Sequence, residues 1–391
     1  MRKLIPQVRF PEFTREWEEK KLGDVGDVKM CKRIFNDDTS IEGDIPFYKI
    51  GSFGKLADAF ITREKYLDFR KKYSFPSKGD ILISAAGTIG RTVVYNGEDA
   101  YYQDSNIVWI SNDYQTISNE FLFYVYQIVK YNTEGGTIQR LYNNILKSTK
   151  FSCPSLPEQT KIANFLTAVD EKLTALNQKK ILLEQYKKGV MQQIFAQELR
   201  FKDDNGNDYA DWEENKLQIY LEEFKENSVV DDQFEVLTSS NKGLMKQSDY
   251  FGENRLTNRE NIGFNIIPDG YLTYRSRSDN RKFSFNENKL GITGLISTYY
   301  PVFRMKNSAN NFFIELTNHF QNHIGKFSVG TSQTVLSYNQ LKTIKFKFPC
   351  NDEQTKIANF LSAIDVKINH CQEQIDQTTI WKKGLLQQLF V

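Results

Sequence analysis

The sequence predicts an α+β protein in which two similar globular domains sit at opposite ends of an antiparallel pair of long helices, a pseudo-twofold internal repeat. Three observations predict it. Residues 158–195 (EQTKIANFLTAVDEKLTALNQKKILLEQYKKGVMQQIF) return at 353–390 as EQTKIANFLSAIDVKINHCQEQIDQTTIWKKGLLQQLF, with a constant offset and no insertion; a repeat of this length governs how the rest is divided. Both copies carry apolar residues at alternating steps of four and three, a heptad seam. A shorter leading segment is duplicated as well. The expected boundaries are an N-terminal arm plus first domain at 1–157, a central helix at 158–198, a second arm plus domain at 199–352 and a C-terminal helix at 353–391.

Taken in order, the arm MRKLIPQVRFPEF has charge but no apolar core and no cleavage signal, so secretion is not expected. Its Arg9-Phe10, followed by Trp17-Glu18-Glu19-Lys20-Lys21-Leu22, is matched by Arg200-Phe201 and Trp212-Glu213-Glu214-Asn215-Lys216-Leu217. The first domain, about 22–157, contains Asp80-Ile81-Leu82-Ile83 and Arg91-Thr92-Val93-Val94-Tyr95, β-branched runs bounded by turn residues that read as strands. Residues 119–130 read as a helix, and so do 310–320 in the second domain, about 217–352. The two domains differ far more than the helices do. Shared positions remain: Gly79-Asp80-Ile81-Leu82 beside Gly270-Tyr271-Leu272, Gly136-Thr137 beside Gly330-Thr331, and Leu146 to Phe151 beside Leu341 to Phe346.

In the central helix the stripe is Ile162, Leu166, Val169, Leu173, Leu176, Leu183, Val190 and Ile194. In the last helix it is Ile357, Leu361, Ile364, Ile368, Cys371, Ile375, Leu385 and Leu389. Ser155-Leu156-Pro157-Glu158 reads as a capping box, and Asn351 or Asp352 can cap the second copy. Each helix spans roughly 57 Å at 1.5 Å per residue, too long for one small core to cover. The two stripes are therefore expected to bury each other. A compact intervening domain, with a radius of gyration of about 14 Å, joins the end of one helix to the start of the other most easily if the pair is antiparallel.

The 391 residues hold 51 Lys+Arg against 49 Asp+Glu, with 40% hydrophobic residues, the composition of an ordinary soluble chain; no apolar run reaches membrane-spanning length. Cys31, Cys153, Cys350 and Cys371 lack metal-ligand spacing and read as thiols of a reducing, cytoplasmic protein.

Two unlike domains between near-identical EQTKIANFL helices, each domain preceded by an RF…W-E-E arm, resemble the specificity subunit of a type I restriction-modification system across the whole chain. The resemblance implies that each domain is a target recognition domain reading one half of a bipartite double-stranded DNA site. It implies that the helices set the gap and dock two methyltransferase subunits, to which restriction subunits attach. It also implies no catalytic residues and no cofactor on this chain, with S-adenosylmethionine on the methyltransferase partners and ATP and Mg on the restriction partners.

The residues agree on catalysis. There is no Asn-Pro-Pro-aromatic or Asp-Pro-Pro-Tyr motif and no glycine-rich cofactor loop, and Gly51-Ser52-Phe53-Gly54-Lys55 lacks P-loop spacing. His319 and His323 have no intervening Glu and read as helix surface. Asp269 with Glu287-Asn288-Lys289 fits the loose acid-x-Lys pattern of some nucleases, which keeps a stand-alone metal-dependent restriction endonuclease as the alternative; a structural coiled-coil protein is a third reading.

For DNA, residues 275–347 are strongly basic. Arg275-Ser276-Arg277-Ser278-Asp279-Asn280-Arg281-Lys282 is the densest part, combining guanidinium forks suited to guanine with Ser and Asn suited to phosphate or adenine. Thr331 and Gln333 join it. In the first domain the candidates are Ser84, Gly87, Thr88 and Arg91 on a small-residue loop, Gln103 and Asn106 on a following hairpin, and Gln139-Arg140. Near-neutral net charge implies that partners supply part of the affinity. Tyr186-Lys187 and Trp381-Lys382, equivalent positions just off each seam, are the candidate partner-binding residues.

Overall fold

The computed structural model describes residues 4–112, 114–131, 140–240, 243–251 and 260–391. The chain divides into two compact units, Met1–Asn177 with Glu373–Val391, and Gln178–Gln372.

The first unit runs β1 (Glu18–Lys21), β2 (Gly26–Lys29), β3 (Ile45–Tyr48), β4 (Phe60–Ile61), α1 (Arg63–Lys72), β5 (Ile81–Ser84), β6 (Thr92–Val94), β7 (Tyr101–Tyr102), β8 (Ile107–Asn112), α2 (Asn119–Ile128), α3 (Asn143–Ser148) and β9 (Lys150–Cys153), then enters α4 (Leu156–Phe195). Its main sheet has the order β2-β8-β5-β6, and a smaller sheet has the order β4-β3-β7, in which β3 and β7 are parallel. Strands β1 and β9 pair antiparallel beside the helix start.

The second unit runs β10 (Glu213–Lys216), β11 (Leu221–Phe224), β12 (Glu235–Ser240), β13 (Gly243–Lys246), α5 (Gln247–Phe251), β14 (Asn265–Ile267), β15 (Leu272–Tyr274), β16 (Arg277–Ser278), β17 (Phe285–Glu287), β18 (Gly294–Ile296), β19 (Val302–Met305), α6 (Asn310–His319), α7 (Gln321–Gly325), β20 (Thr334–Val335), α8 (Tyr338–Thr343), β21 (Lys345–Phe348) and α9 (Asn351–Gln388). Its main sheet, β11-β19-β15-β17, repeats the order of the first. The smaller sheet, β13-β12-β18-β14, again contains one parallel pair, β12 with β18. Two domains with little sequence in common thus share one β scaffold. A hydrogen bond fixes the match: Asn119 Nδ2 donates to the Gly79 carbonyl and Asn310 Nδ2 to the Gly270 carbonyl, each at 2.7 Å. In both cases a buried helix-start Asn ties the helix to the turn before the central strand.

The repeated EQTKIANFL segment is explained by what its side chains hold. Glu158 is buried and accepts from Arg9 Nε at 2.7 Å, Arg9 Nη2 at 2.8 Å and Trp17 Nε1 at 3.1 Å. Glu353, fully buried, takes the same donors from the second arm: Arg200 Nε at 3.2 Å, Arg200 Nη2 at 2.8 Å and Trp212 Nε1 at 3.1 Å. The next residue is equally committed, with Gln159 Nε2 donating to the Pro154 carbonyl and Gln354 Nε2 to the Pro349 carbonyl, both at 2.9 Å. Lys161 pairs with Glu12 and Lys356 with Asp204. Phe165 packs edge-on to Phe10 and Phe360 to Phe201. The segment is a clasp for the arm, so the capping-box reading of Glu158 gives way: its carboxylate serves a bidentate guanidinium and an indole instead.

The apolar stripes behave differently from a simple coiled coil. Ile162, Leu166 and Val169 enter the first unit's main core together with Leu385 and Leu389. Val190 and Ile194, with Ile357, Leu361 and Ile364, enter the second unit's core. Leu173, Leu176 and Leu183 are only half-buried. The expectation that the stripes bury each other is therefore corrected in part, because the ends of each stripe are covered by the globular cores. Within the second unit the helices are antiparallel, since Lys180 bonds Gln372 and, seven residues on, Lys187 bonds Asp365.

The chain termini of the first unit come together. Val8 N–H donates to the Gln388 carbonyl at 3.0 Å, Trp17 meets Phe390 edge-on, and Ser152 Oγ donates to the Val391 carbonyl at 3.3 Å.

Two outcomes are expected. Glu353→Ala leaves Arg200 and Trp212 without their buried acceptor and should destabilise the protein by about 3 kcal/mol, with Glu353→Gln milder; an unchanged urea midpoint would contradict the clasp. A circular permutant joining Val391 to the arm by a short linker and opened within the exposed Asp203-Asp204-Asn205-Gly206 turn should fold with unaltered circular dichroism and melting.

Candidate nucleic-acid interface

Each main sheet projects a loop from the end of its central strand, and each loop is completed by distant segments. In the first unit the loop follows β5. Ser84 is buried; its hydroxyl donates to the Thr88 carbonyl and accepts from Arg91 N–H, so it shapes the loop from inside. Gly87 turns the loop with φ of +64°, a conformation side-chain-bearing residues avoid. Thr88 is exposed. Arg91 is half-buried and donates to the Phe53 carbonyl at 2.9 Å, which brings residues 50–54 to the same place. Gln103 also reaches that segment, its Oε1 accepting from Ile50 N–H at 3.0 Å.

Residues 103–106 are not the turn of a hairpin. β7 pairs with β3 while β8 pairs with β2 and β5, so this turn carries the chain from one sheet to the other. Asn106 then bonds the loop twice: its carbonyl accepts from Ala85 N–H, and its Oδ1 from Arg140 at 3.5 Å. Arg140 bridges Ala86, completing the cluster. Gln139 lies outside the described residues. Arg33, overlooked in the sequence, enters through its ion pair with Asp104 at 2.8 Å.

In the second unit the equivalent loop follows β15 and is locked by the same framework. Leu141 N–H donates to the Ala85 carbonyl in the first unit and Leu336 N–H to the Ser276 carbonyl here, both at 2.9 Å. Arg275, Arg277, Arg281 and Lys282 are all exposed. Ser276 Oγ donates to the Tyr299 carbonyl at 2.7 Å, and Asn280 Oδ1 accepts from Ser278 Oγ and Lys282 N–H. Ser276 and Asn280 therefore organise the loop, and a bidentate adenine contact from Asn280 would have to break the turn. Thr331 and Gln333 are exposed on the adjoining turn, where a β-carbon at Gly330 would stand 2.4 Å from the Gln333 carbonyl. Gln333 reaches Asp279 at 3.4 Å.

Arg275, Arg277 and Lys282, together with Thr238, Ser239 and Ser240 of β12, line a cleft of about 450 Å³. Tyr250 and Tyr300 contribute to its wall. Burial raises the Tyr300 phenol above its ordinary value, and the nearby Arg275 works against that rise. Sequence reading missed the β12 hydroxyls and these tyrosines because long-range sheet pairing brings them there.

The other singled-out residues resolve clearly. Lys187 is an internal ion pair, bonded to Glu315 at 2.8 Å and Asp365 at 2.7 Å. Burial lowers its pKa, but the bonds from Asp365 and Glu315 outweigh that and leave the ammonium above its ordinary value. Lys382 pairs with Asp170 at 2.6 Å. Both lysines bind within their own units; Tyr186 and Trp381 are half-exposed, the Trp381 ring meeting Phe165 edge-on. His319 packs on Phe195 at 4.9 Å and His323 on Phe327 and Phe346, so neither is plain helix surface. Of the nuclease-like set, Asp269 caps the Gly291 N–H, while Glu287 bonds Asn310 and pairs with Lys289. Among the described residues no group of three or more His, Cys, Asp or Glu could hold a metal. The endonuclease alternative has no support.

Two equivalent scaffolds carrying different polar clusters define a protein built from a duplicated domain. The family model of the type I restriction modification DNA specificity domain matches residues 14–185 and 219–378, and the chain belongs to that family. It is a DNA-recognition subunit of type I restriction-modification. Residues of this chain are 24% identical over 97% of its length, and 92% of the relative's, to the MjaVIII type I restriction enzyme specificity subunit of Methanocaldococcus jannaschii. A putative type I restriction enzyme specificity subunit of Haemophilus influenzae is 58% identical over 37% of the chain; that match spans 38% of the relative. The fold is similar to that of the type I restriction-modification S subunit from M. genitalium, with a TM-score of 0.60 at 16% identity over 99% of both chains. No helix among the described residues is long and apolar enough to cross a membrane.

Replacing Arg275, Arg281 or Lys282 by alanine should cost about 1–3 kcal/mol of binding at one base position if the residue reads a base. If it touches phosphate, the salt slope should fall by about one unit across all sequences. Titrating duplex binding at several salt concentrations distinguishes these results.

Proposed function

We propose that this chain is a non-catalytic adaptor whose two domains each read one half of a bipartite double-stranded DNA site. The observation that carries the proposal is the pair of equivalent loop clusters: the same strand order and the same locking bonds present Arg91, Gln103, Asn106 and Arg140 in one unit and Arg275, Arg277, Arg281 and Lys282 in the other. A shared scaffold with different displayed side chains suits two different half-sites, because base edges are distinguished by donor and acceptor pattern while the framework only sets position.

Helices α4 and α9 run through both units and are proposed to set the gap between the half-sites. Their half-exposed Tyr186 and Trp381 are proposed to anchor two methyltransferase subunits, aromatic rings being favoured as interface anchors. Base methylation with S-adenosylmethionine would then take place on those partners, and ATP- and Mg-dependent restriction on further subunits joined through the complex, all in the cytoplasm. With 51 basic against 49 acidic residues, the chain relies on partners for much of its phosphate neutralisation.

Inserting one heptad after Leu176 and another after Cys371 tests the spacer role. The methylated motif, read by methylome sequencing of cells with the assembled complex, should keep both half-sites and lengthen only the gap. An unchanged gap in a folded, methylating variant would refute it.

A further inference from the structure

Arg277 differs from the other cations of its loop in how firmly it is held. Its backbone pairs with Val335 across β16 and β20, and the residues on either side are bonded as well, Ser276 to Leu336 N–H and Ser278 to Thr334 Oγ1. The guanidinium carbon lies over the ring of Tyr299, 4.4 Å from its centroid. The Tyr299 backbone is held in turn, its carbonyl accepting from Ser276 Oγ at 2.7 Å, and the residue is 54% exposed.

A guanidinium resting on a ring face uses its π surface there and keeps its in-plane N–H donors available. Two parallel in-plane donors match O6 and N7 of guanine at the major-groove edge, whereas a phosphate needs only a charge nearby. Holding the fork against the ring also reduces the rotamer entropy lost when it binds. Arg281 occupies a left-handed turn, with φ of +59°, and Lys282 has no fork, so both suit the phosphate backbone better.

We propose that Arg277 reads one guanine in the half-site of the second domain and that Tyr299 is the residue that positions it. The assignment rests on the DNA-reading function proposed above.

The test uses the assembled complex containing the full chain, with a pool of random-sequence duplexes as probe and sequencing of the bound fraction at two salt concentrations. The wild-type chain should enrich a motif with an invariant guanine in one half. Arg277→Ala and Arg277→Lys should each relax that single position, discrimination there falling roughly ten- to hundredfold, with every other position kept. Tyr299→Ala should weaken the same position, and Tyr299→Phe, which retains the ring, should preserve it. The proposal is overturned if Arg277→Ala leaves the motif intact, or if it lowers affinity for all sequences equally with a shallower salt dependence, the mark of a phosphate contact. A variant with alanine at Arg275, Arg277, Arg281 and Lys282 separates the two levels of failure. If it binds the pool as the wild type does, this face does not contact DNA and the proposed function of the loop fails with the assignment. If it loses binding while the Arg277→Ala motif is unaltered, only the assignment fails.

Discussion

The buried carboxylate at the start of each long helix is the contact on which both units depend. Glu158 and Glu353 each accept a guanidinium fork and an indole N–H from an arm that precedes the domain in sequence. A lone carboxylate at that depth would carry a heavy desolvation cost, so the site is stable only when the arm is in place. The same arm leads directly into β1 or β10, which pairs with the strand just before the helix. One ion pair therefore ties the entry of each domain to its exit, and the repeated sequence EQTKIANFL records that requirement nine residues at a time.

Around this fixed point the domains vary freely. The sheets β2-β8-β5-β6 and β11-β19-β15-β17 keep their order although most side chains differ, because strand order depends on burying one apolar face and not on particular residues. Core packing constrains the inward positions, Ala85 and Phe283 of the segments after β5 and β15 among them, while exposed positions such as Thr88, Arg275 and Arg277 lie outside it and can exchange side chains at little cost to stability. This separation of scaffold from display suits a recognition subunit. Part of each loop's polarity nevertheless serves the loop itself: Ser84, Ser276 and Asn280 spend their side chains on internal bonds and Arg91 donates to the Phe53 carbonyl, whereas Arg275, Arg277, Arg281 and Lys282 are exposed.

The helices carry a second device with the same duplication. Lys187 with Asp365 and Lys382 with Asp170 occupy equivalent places in the two helix pairings. In the second unit a buried Glu315 joins the pair, and its carboxyl is pushed up by burial, with Lys187 pulling the other way. Such pairs add little stability on their own, since their attraction is offset by desolvation.

The duplicated helix, its heptad stripe, the paired arms and the α+β character were all legible in the chain itself, because repeats and apolar periodicity are local properties of sequence. The helices at 119–130 and 310–320 were found within two residues for the same reason. Asn106, Arg140 and Arg91 were recognisable as polar loop residues, but their meeting place was not, since it depends on a turn that passes from one sheet to another. Thr238, Ser239 and Tyr299 gave no local signal, their relation to Arg277 being set by strand pairing and chain reversal across tens of residues. Glu158 was misread as the capping-box partner of Ser155 because its spacing fits that motif, while its actual partners lie 149 and 141 residues away. Sequence by itself determined that the long helices, the arms and a helix in each domain form, and that they form twice; tertiary structure decided which polar groups are spent inside and which are left to face a ligand, because that depends on hydrogen-bond partners that only the folded chain brings within reach.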